Sequence, residues 1–214
     1  YGINRDDNET IEPFAKALIV RDYAESGSNW RLQDELSDWL KQKGIVGISG
    51  IDTRMLTRII RRKGTMKAAA GTGGITKQEL QAMLGQPLPR DQVKRVSTPV
   101  RYRIPGTKEK VVLIDFGSKH GILRHLTRRG CDVTVVPYNT TAEEIMTLRP
   151  DGVVLSNGPG DPENVPEAIE TISRLIGRVR VFGICLGHQM LALASGAKTE
   201  KMVFGHRGGN HPVK

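Results

Sequence analysis

Cysteine is scarce: the 214 residues hold only two. Two thiols cannot build a disulfide framework, and they fit a reducing cytoplasm. They stand at positions 131 and 185 with no Cys-x-x-Cys pair, so no metal site is expected. No apolar run approaches the roughly 18 residues of a membrane span. No basic-then-apolar leader opens the chain, so neither membrane nor secretion is expected. Aromatic residues are few, at 5%, which leaves little for a base-stacking surface on single-stranded nucleic acid. Gly71-Thr72-Gly73-Gly74 lacks the Gly-Lys-Ser/Thr of a phosphate loop and is expected to be a turn. Internal repeats and low-complexity tracts are also missing.

What is present is a moderately apolar chain, 38% hydrophobic, with a net charge of +9. The length allows one large α/β domain or two modest ones. The charge is unevenly placed: residues 1–52 carry −4, residues 53–106 carry +10 and residues 107–214 carry +3. The basicity therefore belongs to one middle segment, where Arg54, Arg58, Arg61, Arg62 and Lys63 crowd one stretch. A solvated helix face is the simplest expectation for it. Docking to an acidic partner surface comes second, and nucleic acid a distant third.

The spacing of Leu32, Leu36, Trp39 and Leu40 predicts a helix over 31–43, stopped at Gly44. A strand is expected over 45–51. Asp52 is a cap for a helix over 53–63, with Met55, Leu56, Ile59 and Ile60 facing a core. A short helix is expected at 77–84. Trp30 and Trp39 are expected in the core or as staples. The polar stretch 87–107, with four prolines, is expected to end in a linker.

The second half alternates regularly. Strand-like runs at 111–116, 133–138, 152–156 and 179–184 are separated by helical stretches at 121–129, 142–148 and 166–176. Thr141 with Glu144 forms a capping-box pattern. Such alternation predicts βαβ units and a parallel sheet, with ligands bound beyond the strands' carboxyl ends. Those ends are 116–118, 156–160 and 184–187.

The last of these carries the chemistry. Gly183 and Gly187 flank Cys185 between a strand and a helix, which is the logic of a nucleophile elbow with cysteine in place of serine. The helix points its positive end at the sulfur and stabilises negative charge there. The N–H of Leu186 is free to donate to an oxyanion. Gly160, in the run Ser156-Asn157-Gly158-Pro159-Gly160-Asp161-Pro162, can turn a second N–H toward it, although such a run is also an ordinary turn. Cys131 is expected to be a buried structural cysteine. Among the histidines, His188 is expected to support the turn, His120 and His125 to lie on a surface or helix, and neither His206 nor His211 makes a convincing base.

At these residues a resemblance emerges. Gly183–Gln189 resembles the nucleophile motif of class I glutamine amidotransferases, and Ser156–Pro162 their oxyanion-side loop. Tyr1–Asn4, Gly50–Thr57, Asp115–Gly117 and Phe204–Val213 look like the small, glutamine-hydrolysing chains of carbamoyl-phosphate synthase. The resemblance runs the length of the chain. It implies an α/β protein: an N-terminal β/β/α, swivelling-type domain over 1–106, including the linker, and a flavodoxin-like amidotransferase domain over 107–214. It implies that Cys185 attacks the glutamine side-chain amide, with Gly160 and Leu186 donating to the oxyanion and Gly158 and Gln189 holding the glutamine. The partner implied is a large synthetase subunit, which uses ATP and Mg; no cofactor is expected in this chain. The product is carbamoyl phosphate for arginine and pyrimidine synthesis, and the setting is the cytoplasm.

Two departures matter. The family's base, in a His-Pro-Glu motif, has no counterpart here, because His211-Pro212-Val213 is a different motif. A first-domain segment that helps bind glutamine is also missing. The chain is thus expected to be cut at both ends and to hydrolyse little glutamine by itself. Three other functions fit parts of the pattern: an amidotransferase serving anthranilate or GMP synthetase, a dienelactone-hydrolase-type cysteine hydrolase, and a basic nucleic-acid-binding module.

Overall fold

The computed structural model describes residues 2–203 and Gly205. The chain divides into two compact units, Tyr1–Leu88 with Glu200–Lys214, and Pro89–Thr199.

The first unit contains β1 (Ala17–Ile19), α1 (Leu36–Gln42), β2 (Val46–Ile48), α2 (Thr53–Lys63) and α3 (Lys77–Gly85). β1 and β2 pair in parallel, Ala17 opposite Val46. Leu40 of α1 is buried and reaches Gly47 of β2. Asp52 caps α2 as expected, its Oδ1 accepting from the Met55 N–H at 2.9 Å. The expected apolar face of α2 is only half used. Leu56 and Ile60 are half-buried, whereas Met55 and Ile59 are 54% and 38% exposed. A two-stranded sheet offers too little surface to cover four such side chains. Trp30 corrects a second expectation: it is 92% exposed. Asn29 holds a turn beneath it, accepting from Arg31 N–H at its side chain and from Leu32 N–H at its carbonyl, and this leaves the indole at the tip.

The second unit contains α4 (Gln92–Val96), β3 (Tyr102–Ile104), β4 (Lys110–Asp115), α5 (His120–Arg128), β5 (Asp132–Pro137), α6 (Ala142–Thr147), β6 (Gly152–Leu155), α7 (Pro166–Leu175), β7 (Arg180–Gly183) and α8 (Leu186–Ala194). Its sheet runs β3-β5-β4-β6-β7. β5, β4, β6 and β7 are parallel, and their order is that of a flavodoxin-like sheet. Along β4 the side chains alternate between the two faces. Val112 and Ile114 pack with Ile145, Ala168, Ile172 and Met190 of the helices α6, α7 and α8. Val111 and Leu113 pack with Ile122, Leu123 and Leu126 of α5. Both faces are therefore covered along β4, β5 and β6, which is why these strands read as nearly continuous apolar runs, whereas Phe182 of the edge strand β7 is 63% exposed. The capping box expected at Thr141 and Glu144 is formed.

The stretch expected to end as a linker contributes two elements. α4 buries Val93 in the core, and β3 adds an antiparallel edge strand beside β5. Arg103 of β3 grips Asp132 of β5 with two hydrogen bonds of 2.7 and 2.6 Å. That guanidinium holds the Asp132 carboxyl below its ordinary value. Proline-rich composition hid both pieces, since each is short and its partners are distant in sequence.

Candidate active site

The carboxyl ends of β4, β6 and β7 open on one edge of the sheet. β5 lies on one side of β4 and β6 on the other, so the chain winds both ways from β4, and ligands bind at such reversals.

Cys185 caps the start of α8 with φ 54° and ψ −110°. A left-handed φ is costly for a residue with a Cβ and is typical of functional turns. The neighbouring glycines are required by close approach. A Cβ on Gly183 would stand 2.7 Å from the carbonyl of Gly187 and from Cα of His188. A Cβ on Gly187 would stand 2.6 Å from Cβ of Leu155 and would also meet the Leu155 carbonyl. The elbow is tied to β6 by backbone bonds, Ile184 N–H to the Leu155 carbonyl at 3.0 Å and Gly187 N–H to the Ser156 carbonyl at 3.1 Å. Cys185 itself is exposed.

Of the other expected site residues, Leu186 is buried and packs close to Gly158. A Cβ on Gly158 would stand 2.8 Å from Cδ2 of Leu186 and would meet the Phe116 carbonyl. Among the described residues, the N–H groups of Leu186 and Gly160 donate to no protein acceptor. Gly160, with φ 90°, lies against the carboxamide of Gln92. Gln189 is exposed on α8, and its N–H donates to the Cys185 carbonyl at 3.1 Å. The structure thus brings Gly158, Leu186 and the Cys185 elbow together. Gly160 is placed at the far end of the same loop.

His188 is exposed in the first turn of α8. His120 and His125 lie on α5. His206 and His211 lie outside the described residues. Cys131 is buried against β-strand residues.

Several residues that hold this edge were read from the sequence only as parts of the 115–117 and 156–162 motifs, with no role of their own. The buried Ser156 hydroxyl accepts from Phe116 N–H at 2.8 Å and donates to the Asn157 carbonyl at 2.8 Å. Asp115 holds its own turn by accepting from the Gly117 and Ser118 N–H groups, and Asn157 locks that turn to the second loop through bonds to Lys119 N–H and the Gly117 carbonyl. The available signal was the Asp-x-Gly-Ser spacing, since an Asp carboxylate accepts from backbone N–H groups two or three residues on; Asn157 bonds Gly117 and Lys119 across the fold, which no local spacing marks.

Comparison with known proteins gives a consistent picture. Residues 112–214 match the family model "Glutamine amidotransferase class-I", and residues 1–70 match "Carbamoyl-phosphate synthase small chain, CPSase domain". The chain is 57% identical to the carbamoyl phosphate synthase pyrimidine-specific small chain of Bacillus subtilis. It is 59% identical to the carbamoyl phosphate synthase small chain of Bacillus caldolyticus. Each match covers 100% of this chain and 59% of the relative, so the chain spans about three-fifths of their length. A solved structure of a GMP synthase-type protein from Thermoplasma acidophilum matches at 28% identity over 43% of this chain and 47% of that one, with a TM-score of 0.38.

Proposed function

From the premise that this chain belongs to the carbamoyl-phosphate synthase small-chain family, with a class I glutamine amidotransferase domain, we propose that it carries the nucleophile that frees ammonia from glutamine for carbamoyl phosphate synthesis. The observation that carries this proposal is the strained, exposed Cys185 at a strand-to-helix elbow whose flanking glycines cannot carry a side chain.

Cys185 Sγ attacks the side-chain amide carbon of glutamine and forms a C–S bond. The carbonyl oxygen becomes an oxyanion, and the N–H groups of Leu186 and Gly160 donate to it. Donors aimed at developing charge are among the largest contributions to such catalysis. Collapse of the intermediate breaks the C–N bond, and the nitrogen takes up the proton that the Cys185 thiol gives up and leaves as ammonia. Water then adds to the glutamyl thioester, releasing glutamate and restoring the thiol. Gly158 and Gln189 hold the glutamine. The exposed His188 sits on the same helix as the nucleophile and is not assigned as the base.

In the whole protein the ammonia passes to a large subunit that uses ATP, Mg and bicarbonate. The product serves pyrimidine and arginine synthesis in the cytoplasm. Among the described residues no helix is long and apolar enough to cross a membrane. Residues 1–88 act within the small-chain-specific domain, and residues 89–106, read from the sequence as part of that domain and its linker, join the amidotransferase unit through α4 and β3.

The test is Cys185→Ser in the whole protein with its synthetase partner. Glutamine-dependent synthesis and glutamate release fall by about a thousandfold or more, while synthesis from added ammonia persists. Glutamine-dependent synthesis that survives the substitution would overturn the assignment.

A further inference from the structure

The segment from Asn157 to Gly160 belongs to no helix or strand, so its conformation depends on what clasps it. Asn157 reaches across to the turn after β4. Its Oδ1 accepts from Lys119 N–H at 3.0 Å, and its Nδ2 donates to the Gly117 carbonyl at 3.1 Å. That turn is held from below by the buried Asp115. Asp115 Oδ1 accepts from Gly117 N–H at 2.9 Å and Ser118 N–H at 2.7 Å, and its Oδ2 accepts from Thr98 N–H at 2.6 Å.

Thr98 follows α4, and α4 lies along the same loop. A Cβ on Gly117 would stand 2.6 Å from Val96 Cγ2 and 3.2 Å from Pro159 Cδ, so these three residues are in close contact. Gln92 Oε1 is 3.1 Å from the position a Cβ on Gly160 would take. The Ser97 hydroxyl accepts from Tyr138 N–H at 3.0 Å and pins the end of α4 to the residue after β5. The loop is therefore bonded by Asn157 at its start, while Gln92, whose Nε2 donates to the Pro89 carbonyl, packs against its end. The first contact leads to Asp115 through the Gly117 turn, and the helix that carries the second is tied to Asp115 through Thr98.

We infer that Asn157 and Asp115 are positioning residues that hold the Gly158–Gly160 backbone in the conformation that presents its N–H groups to the reacting amide. This inference rests on the assignment of Cys185 as nucleophile and of Gly160 as oxyanion donor. The Asn157 carboxamide and the Asp115 carboxylate are spent on backbone partners. Both act through Gly117 and the loop backbone. A donor that is misplaced loses its effect on the transition state more than on ground-state binding, so kcat is the parameter expected to move.

The experiment uses the whole small chain assembled with its synthetase partner. Glutamine hydrolysis is measured in Asn157→Ala, Asn157→Asp and Asp115→Asn, beside the second-order rate of Cys185 alkylation by iodoacetamide. Asn157→Ala lowers kcat by roughly ten- to a hundredfold, with the glutamine KM within about threefold of the parent. Asn157→Asp keeps the acceptor for Lys119 N–H and loses the donor to Gly117, so its kcat falls between those of the parent and Asn157→Ala. Asp115→Asn shifts kcat in the same direction, because the amide keeps a single acceptor oxygen and turns an NH2 donor toward either the Thr98 N–H or the N–H groups of Gly117 and Ser118. Alkylation stays at the parental rate, since the elbow is tied to Leu155 and Ser156 by bonds that do not involve the clasp.

Kcat values within about twofold of the parent in both Asn157→Ala and Asp115→Asn would overturn the inference. So would a fall in kcat matched by an equal fall in alkylation, which marks a general loss of structure. Glutaminase activity that survives Cys185→Ser would instead overturn the site assignment, and this inference with it.

Discussion

The two units of the chain are built on different physics. In the second, both faces of the central strands β4, β5 and β6 are covered. Phe116, Leu113, Ile145, Leu155 and Ile172 lie among its largest fully buried side chains. In the first, Leu40 is the one apolar side chain buried among the described residues, while Ile11, Phe14 and Trp30 are more than half exposed. Several of its long-range contacts are ion pairs. Arg5 pairs with Asp34 at 3.0 Å, Arg31 with Asp7 at 3.1 Å and Lys43 with Glu12 at 2.8 Å. Exposed pairs of this kind contribute about 0–1 kcal/mol each. A fully buried aliphatic side chain contributes about 1.5–3 kcal/mol. Precision at the candidate site therefore depends on the second unit, whose packed core can hold a strained residue such as Cys185.

The largest expected effect tests that contrast directly. Ile172→Ala empties a fully buried position on α7 and should cost about 2–5 kcal/mol, whereas Leu40→Ala, in a thinner cluster, should cost less than that range. Native-state hydrogen exchange resolves the two. Amides of β4 and β6 lose protection with Ile172→Ala, and β1 and β2 exchange fast already in the parent chain. Equal losses at the two positions would erase the distinction between the units.

A smaller effect is expected at the elbow. Gly187→Ala places a Cβ against the Leu155 backbone, which cannot swing aside as a side chain can. The cost is about 1–3 kcal/mol, read by chemical denaturation, and Cys185 alkylation should slow with it. An alanine tolerated there without loss would show that the elbow is looser than its contacts indicate.

The smallest effect concerns acid. Arg103 lowers the Asp132 carboxyl, so the pair's contribution is fully present above the ordinary carboxylate range, about pH 4. It is lost as pH falls through the depressed folded-state value. Asp132→Asn should therefore reduce stability at neutral pH and leave a shallower decline in acid, followed by circular dichroism. Arg103 is 62% exposed at its side chain, which keeps the change small. Parallel acid transitions in the two chains would remove the pair from the account.

Much of the second unit was legible because its order is local. β4, β5, β6 and β7 begin and end within about two residues of the expected runs. Thr141 and Glu144 announce their helix by chemistry confined to four residues. The glycines at 183 and 187 mark the elbow, since that turn needs bare backbone on both sides. β1, β3 and α4 were not legible. Each is three to five residues long, and each is stabilised by partners far along the chain. The exposure of Trp30 and Met55 escaped for the same reason, because an apolar residue looks like core until the surface meant to cover it is counted.

Periodicity, caps and paired glycines by themselves determined the α/β alternation, the sheet edge that opens as a site and the place of Cys185. These are short-range properties, written by side-chain spacing and backbone sterics. Only the tertiary structure decided that Asp115, Asn157 and Thr98 meet beneath one loop, that Gln92 lies on Gly160 and that Arg103 clamps Asp132. Those contacts join residues from 17 to 68 positions apart, and nothing in the local chain selects such partners. The packing of helices against the sheet does.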